Sequence, residues 1–215
     1  MATIFEKLRV VFSCAERLNT AIWMDGRAPE YLSIAELADY VTNLTGVTIT
    51  FKQVDAETDH IWGWLERYGP EGKQATIYIV KNIPERAKPA VAAKELCQLL
   101  LDEHEDWQPD GQDTLERLVT PQVELDTPDN LAVRSEVMAE RLSYEILYPV
   151  ELRRKHVEDI AQGAKAVPEI AAVVRLTVTT VEMLLADNYM RWATRWWEII
   201  LAEHDAKVAS ANAAE

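Results

Sequence analysis

Cysteine and long apolar runs are both scarce in this 215-residue chain, which has two cysteines. Cys14 and Cys97 lie far apart and form no motif, which excludes a disulfide framework and a cysteine-based zinc module. A transmembrane helix needs about 18–20 consecutive apolar residues, and a secretory signal needs a basic start before an apolar run. The sequence has neither, so we expect free buried thiols and a cytoplasmic protein without membrane contact.

Basic residues are also few. The chain has 22 lysines and arginines against 36 aspartates and glutamates, and its formal net charge is −14. Residues 95–145 alone hold 14 acidic residues and 3 arginines. Such a surface repels a phosphate backbone, so we expect no direct nucleic-acid binding. One acidic run is either a solvated face or a binding surface for a basic partner protein: Asp102, Glu103, Glu105 and Asp106.

Histidine is scattered singly, and lone histidines are expected at the surface or in helix caps: His60, His104, His156 and His204. Two histidines one helical turn apart can hold zinc, and a glutamate between them can activate a bound water. The segment Lys94-Glu95-Leu96-Cys97-Gln98 has that glutamate, but lysine and glutamine stand where the histidines would be. A lysine ammonium has no lone pair for a metal, and a glutamine amide is a weak ligand. We therefore expect no metal at this site.

Hydrophobic periodicity and turn residues predict a mixed α+β chain. Ser33, with Glu36 three residues later, marks a helix start, and Gly46 marks its end. Three strands with short connections predict a small, mostly antiparallel sheet. The acidic stretch 107–130 is predicted to be an irregular loop with one helical turn at 115–119. The predicted helices cover about residues 4–19, 33–46, 84–103, 132–147, 150–162, 167–174, 178–187 and 188–205, and the strands residues 47–54, 61–68 and 75–80.

The C-terminal part is predicted to be entirely helical. We expect a first domain over residues 1–150 and a helical extension over residues 151–215 packed on it. Residues 167–185 resemble a helix-turn-helix, but the second helix has no lysine or arginine, so packing within the domain is favoured over DNA contact. The last helix is apolar on two faces, which predicts burial or a homodimer interface. Its tryptophans are Trp192, Trp196 and Trp197.

The collinear order of these motifs resembles the ImmA/IrrE family of small zinc metallopeptidases, found in mobile elements and stress regulators. That family has a His-Glu-x-x-His helix, then Glu-x-x-Ala, then a hydrophobic run with Leu-x-Pro. Here residues 94–98 are followed by Glu136-Val137-Met138-Ala139 and by Leu147-Tyr148-Pro149. The segment 170–181 matches the helix pair that often comes next. The resemblance covers about residues 33–187.

The resemblance implies a reduced zincin-like core, in which Glu95 matches the general base and Glu136 the third zinc ligand. Because Lys94 and Gln98 replace both histidine ligands, it also implies a pseudo-metallopeptidase that acts by binding and needs no cofactor. The implied partner is another protein, such as a basic DNA-binding regulator or a host-defence component. The Lys94 ammonium is expected to take the place of the metal and to pair with Glu136 within about 4 Å.

Two alternatives remain open at the level of the sequence. One is an active zinc-dependent endopeptidase with atypical ligands. The other is an acidic decoy that mimics DNA and inhibits a nucleic-acid-binding regulatory or defence protein. Zinc content separates the first alternative from the pseudoenzyme, and salt-sensitive binding to a basic protein would support the second.

Overall fold

The computed structural model describes residues 4–24, 32–56, 61–101 and 131–212. The chain is mixed α+β, as predicted. None of the described helices is both long and apolar enough to cross a membrane. In chain order the elements are α1 (Ile4–Met24), α2 (Ile34–Thr45), β1 (Thr48–Val54), β2 (Gly63–Tyr68), β3 (Gln74–Val80), α3 (Lys88–Leu101), α4 (Leu131–Leu147), α5 (Val150–Ala161), α6 (Val167–Val174), α7 (Val178–Leu185) and α8 (Asp187–Asn212).

The chain forms two compact units. One unit, residues 32–147, holds α2, the sheet, α3 and α4, and we call it the sheet unit. In the other, the helical unit, α1 joins the helices that follow residue 147. The sequence predicts instead a first domain over residues 1–150, which would place α1 with the sheet. No local signal in a single amphipathic helix identifies the element against which its apolar face packs.

The sheet has the strand order β1-β3-β2. Strand β2 pairs with β3 in the antiparallel direction, but β1 pairs with β3 in the parallel direction. The prediction of a mostly antiparallel sheet is therefore confirmed for the β2–β3 pairing and wrong for the β1–β3 pairing. The reason is burial: β3 is the most apolar strand and takes the central position, with Ala75 and Ile77 fully buried. Strand β2 folds back on β3 through the turn at Pro70–Gly72, which leaves β1 the opposite edge.

Local signals set the helix ends well. The Ser33 hydroxyl accepts a hydrogen bond from the Glu36 amide, and the Glu36 carboxylate accepts one from the Ser33 amide, so the predicted capping box is confirmed. Gly46 ends α2 with a left-handed backbone (φ 68°). Helix α3 begins at Lys88, later than predicted, because a turn precedes it in which the Ala87 amide bonds the Pro84 carbonyl. The predicted loop 107–130 and its helical turn lie outside the described residues.

The helical unit has an aromatic core between α1 and α8. Phe12, fully buried, stacks on Trp196 and meets Trp192 and Trp197 edge-on. Aromatic pairs at such spacings stabilise beyond the area they bury. The prediction that the tryptophan-rich helix is buried is therefore confirmed for the face that meets α1. A homodimer through this helix stays a prediction.

Candidate functional site

The candidate site lies where α3 packs on α4 within the sheet unit. Helix α3 buries one apolar face, which includes Ala93 and Leu96, and α4 buries Ala139 and Leu142. Residues four apart on a helix lie on the same face, so the side chains at positions 94 and 98 both reach toward α4.

Glu136 of α4 accepts hydrogen bonds from both of those side chains. The Lys94 ammonium donates to its Oε2 atom, and the Gln98 amide donates to its Oε1 atom. Lys94 Nζ also lies 3.0 Å from Oε1 of Glu95, its neighbour on α3. One ammonium thus lies between two carboxylates that would otherwise repel each other, and one carboxylate joins two helices.

The site is largely shielded from solvent. The Glu95 side chain is 1% exposed, whereas Lys94 and Glu136 are 25% and 24% exposed. Burial alone would lower the pKa of Lys94, but the charges of Glu95 and Glu136 outweigh it and raise the pKa above its ordinary value. Lys94 is therefore a fixed cation at neutral pH and has no free electron pair for nucleophilic or base chemistry.

The predicted pairing of Lys94 with Glu136 is confirmed as an ion pair. The Glu95 and Gln98 side chains lie beside that pair, so the structure brings all four side chains together. The catalytic and metal-binding roles that the resemblance attaches to these positions stay predictions. Among the described residues, no group of three or more His, Cys, Asp or Glu side chains could hold a metal ion.

The other residues singled out in the sequence lie elsewhere. Cys97 is fully buried, as expected for a core residue, whereas Cys14 is only partly buried. Arg175 occupies the turn between α6 and α7 with a left-handed backbone (φ 58°), at the position that glycine often takes. The four acidic residues proposed to bind a partner lie outside the described residues: Asp102, Glu103, Glu105 and Asp106.

The sequence did not predict a buried network of polar side chains in the helical unit. We expected His156 at the surface or in a cap, but it is fully buried. Its Nδ1 atom is 2.9 Å from the Tyr148 hydroxyl, and its Nε2 atom is 3.1 Å from Lys165 Nζ, which is itself 3.3 Å from Asp159. An ammonium can only donate, so Nε2 is the acceptor and Nδ1 carries the proton of a neutral ring.

Burial raises the pKa of Tyr148 above its ordinary value, so this phenol stays protonated near neutral pH. The side chains around His156 therefore form a fixed polar network. Its only sequence signal is weak: His156 falls on the same face of α5 as the buried residues Leu152 and Arg153.

Comparison with known proteins adds no relative, since no protein family, curated protein or solved structure matches the chain.

Proposed function

We propose that the chain is a catalytically inactive relative of the ImmA/IrrE metallopeptidases that acts by binding another protein. One observation carries the proposal. The positions that the resemblance assigns to the base and the three metal ligands, on two separate helices, meet through the Lys94 ammonium and the Glu136 carboxylate.

The chemistry of the four side chains supports binding over hydrolysis. A zinc peptidase needs a Lewis acid that lowers the pKa of a bound water. The Lys94 ammonium balances carboxylate charge as a metal would, but it accepts no lone pair from water. Both Glu136 oxygens already accept hydrogen bonds, and Glu95 is shielded from solvent beside Lys94. The order of elements, with α3 directly after the central strand β3 and α4 after α3, also agrees with the reduced zincin-like core that the resemblance implies.

The metal content of designed variants tests the framework. Wild-type protein is expected to purify without stoichiometric zinc and to cleave no substrate in a metal-dependent way. The double variant Lys94→His with Gln98→His is expected to bind about one zinc per chain, because Glu136 is in place as third ligand. The matched control adds Glu136→Ala to that pair and should lose the zinc.

Two results would overturn parts of the proposal. About one zinc per wild-type chain, lost on Glu136→Ala, would favour the active peptidase with atypical ligands. A double-histidine variant that folds but binds no zinc would remove the support for the family framework. Elemental analysis and a zinc titration followed by calorimetry give both readouts.

The binding role is tested with the partner itself. Proteins captured on the immobilised chain from the native host are identified by mass spectrometry, and their affinity is then measured with variants. Glu136→Gln should leave binding intact. Charge reversal at Asp102, Glu103, Glu105 and Asp106 should slow association and reduce its salt dependence. Reversal of four exposed acids in the helical unit is the matched control: Glu151, Glu158, Glu182 and Glu198.

A change of less than about threefold on reversal of the first set would mean that the acidic face is merely solvated. An equal loss for both sets would mean that only net charge matters, which is the behaviour of a nonspecific electrostatic contact. A partner that is a basic nucleic-acid-binding protein, displaced by DNA, would favour the acidic decoy.

A further inference from the structure

The free edge of β1 presents alternate backbone groups to solvent. The Thr48 amide donates to the Lys73 carbonyl, and the Lys81 amide donates to the Val54 carbonyl, both at 2.9 Å. In a parallel ladder the backbone N–H and C=O groups of every second residue bond the same neighbouring strand. The backbone groups of the even-numbered residues of β1 therefore point toward β3. The odd-numbered residues direct their N–H and C=O groups away from the sheet: Ile49, Phe51 and Gln53.

None of those outward backbone groups has a hydrogen-bond partner in the part of the chain that the structure describes. The side chains do little to protect this edge. Strand β1 has a single charge, Lys52, whose ammonium leans inward over the Tyr78 ring, 5.5 Å from its centroid. Phe51, at the middle of the strand, is 39% exposed. Proteins usually guard an open edge with charges, prolines or bulges, and β1 has only that inward-turned lysine.

The opposite edge of the sheet differs. Strand β2 carries two charged residues in succession, Glu66 and Arg67, whereas β1 carries only Lys52. Charged residues on an edge strand are a common way to discourage pairing with another chain. Strand β1 is therefore the less protected of the two edges.

We propose that β1 pairs with β1 of a second copy of this chain, antiparallel, about a two-fold axis at Phe51. In that register Phe51 faces Phe51 of the other copy, and Ile49 faces Gln53. The outward N–H and C=O groups of all three residues then find partners at once, because residues directly opposite each other exchange both hydrogen bonds. The two three-stranded sheets become one continuous sheet across the axis. The proposal does not depend on the function of the Lys94 site.

Side chains and charge fit this register. Lys52 lies opposite the neutral Thr50 of the other strand, so no like charges stand directly opposite each other. The two Phe51 rings share one face of the joined sheet and shield each other from water. A symmetric contact repeats the same favourable pairs on both sides of the axis.

The contact should be weak and should strengthen with salt. One pair of short strands buries less surface than a standard interface, so we expect association in the micromolar range or above. Each chain carries a net charge of −14, so two copies repel each other. Added salt screens that repulsion but leaves backbone hydrogen bonds largely unaffected.

The first test is sedimentation of the full chain from about 5 to 500 μM, at low and at moderate salt. A monomer–dimer equilibrium that shifts toward dimer with salt is expected. Phe51→Lys places like charges on the axis and should weaken association at least tenfold. Phe51→Pro, which removes an outward N–H but no ladder hydrogen bond, should do the same. Leu201→Lys makes the same charge change at an exposed site on α8, where the residue is 43% exposed, and should have little effect.

The second test reads the register. Directly opposite residues that exchange hydrogen bonds have Cα atoms about 5.5 Å apart, which a disulfide can bridge. Phe51→Cys should therefore form a covalent dimer on mild oxidation, at least tenfold faster than Gln53→Cys, whose counterpart lies several residues away across the axis. Wild-type protein is the control for the native thiols, since Cys97 is buried and burial raises the pKa of Cys14 to about 11.

A chain that stays monomeric at every concentration would overturn the proposal. So would equal cross-linking of the two cysteine variants, or a dimer that Leu201→Lys abolishes and Phe51→Lys leaves intact. The last result would locate the contact on the tryptophan-rich helix. Circular dichroism of each variant checks that a lost dimer does not reflect lost folding.

Discussion

Each unit contains one well-packed helix pair, and the two pairs make their contacts in opposite ways. In the helical unit, α1 meets α8 through an aromatic cluster, with the Phe12 ring centroid 5.6 Å from those of Trp192 and Trp197. In the sheet unit, α3 meets α4 through polar atoms, with Lys94 and Gln98 both donating to Glu136. The first contact gains from removing apolar surface from water. The second must first offset the cost of removing charges from water.

That difference suggests different reasons for the two contacts. Aromatic burial removes a large apolar area from water, so it supplies stability. A buried ion pair contributes little net stability compared with an apolar replacement, but its hydrogen bonds accept only one alignment of the helices. In this view the α3–α4 cluster is retained for position and the α1–α8 cluster for stability, and substitutions can test the assignment.

The largest effect is expected at Phe12. Phe12→Ala removes a fully buried ring that touches three tryptophans, so the free energy of unfolding should fall by about 3–5 kcal/mol. Denaturant unfolding followed by tryptophan fluorescence measures it. Val10→Ala, at a residue of the same helix that is 52% exposed, should change stability by less than about 0.5 kcal/mol. A Phe12→Ala loss as small as that of Val10→Ala would refute the aromatic contact as the main source of stability.

A smaller loss is expected at Lys94. Lys94→Ala leaves the Glu95 and Glu136 carboxylates without their shared cation, and we expect a loss of about 2–3 kcal/mol, given that the pair is partly exposed. Glu136→Ala should cost less, because Lys94 retains Glu95. Equal losses for the two variants, or a loss below about 1 kcal/mol for Lys94→Ala, would mean that the cluster behaves like an exposed ion pair.

Alkaline pH should lower the stability contributions of Cys14 in the helical unit and of Lys94 in the sheet unit over different pH ranges. Burial raises the pKa of Cys14 from 9.0 to about 11, and the neutral thiol is the form favoured by folding. Stability should therefore be flat up to about pH 9 and fall between about pH 9 and 11 as the unfolded chain ionises first. The pKa of Lys94 is raised from 10.5, so its contribution is complete below that pH and is lost only as the pH climbs further.

The measurement is the denaturation midpoint as a function of pH for three proteins. Cys14→Ser should remove the decline that begins near pH 9. Lys94→Met should reduce the later decline without abolishing it, because burial also raises the pKa of Tyr148 above its ordinary value of 10.0. A wild-type decline that neither variant alters would assign the alkaline transition to other groups.

Local signals in the sequence were sufficient for much of this structure. The α2 caps depend on residues three or four apart, and strand β3 is a continuous apolar run, so both could be predicted. The Lys94–Glu136 pair was predicted from the order of the motifs along the chain. The parallel direction of β1, the pairing of α1 with α8 and the burial of His156 depend on contacts between distant segments. No short window of sequence carries that information.

The smallest expected effect compares one turn in each unit. Apart from glycine, the described residues with positive φ are Arg175 in the helical unit, at 58°, and Glu71 in the sheet unit, at 55°. A side chain in the left-handed region costs about 1–2 kcal/mol, and glycine avoids that cost but gains about 0.4–1 kcal/mol of entropy in the unfolded chain. Arg175→Gly and Glu71→Gly should therefore each stabilise by roughly 0.5–1 kcal/mol.

Gly163→Ala is the reverse control, since its φ is +71° and an added Cβ would meet nothing within 4 Å. It should destabilise by roughly 0.5–1 kcal/mol, because the backbone strain exceeds the entropy that alanine removes from the unfolded chain. Thermal unfolding of the three variants measures these shifts. Gain at one turn and loss at the other would mean that a side-chain contact, not the backbone, decides the residue at the losing turn.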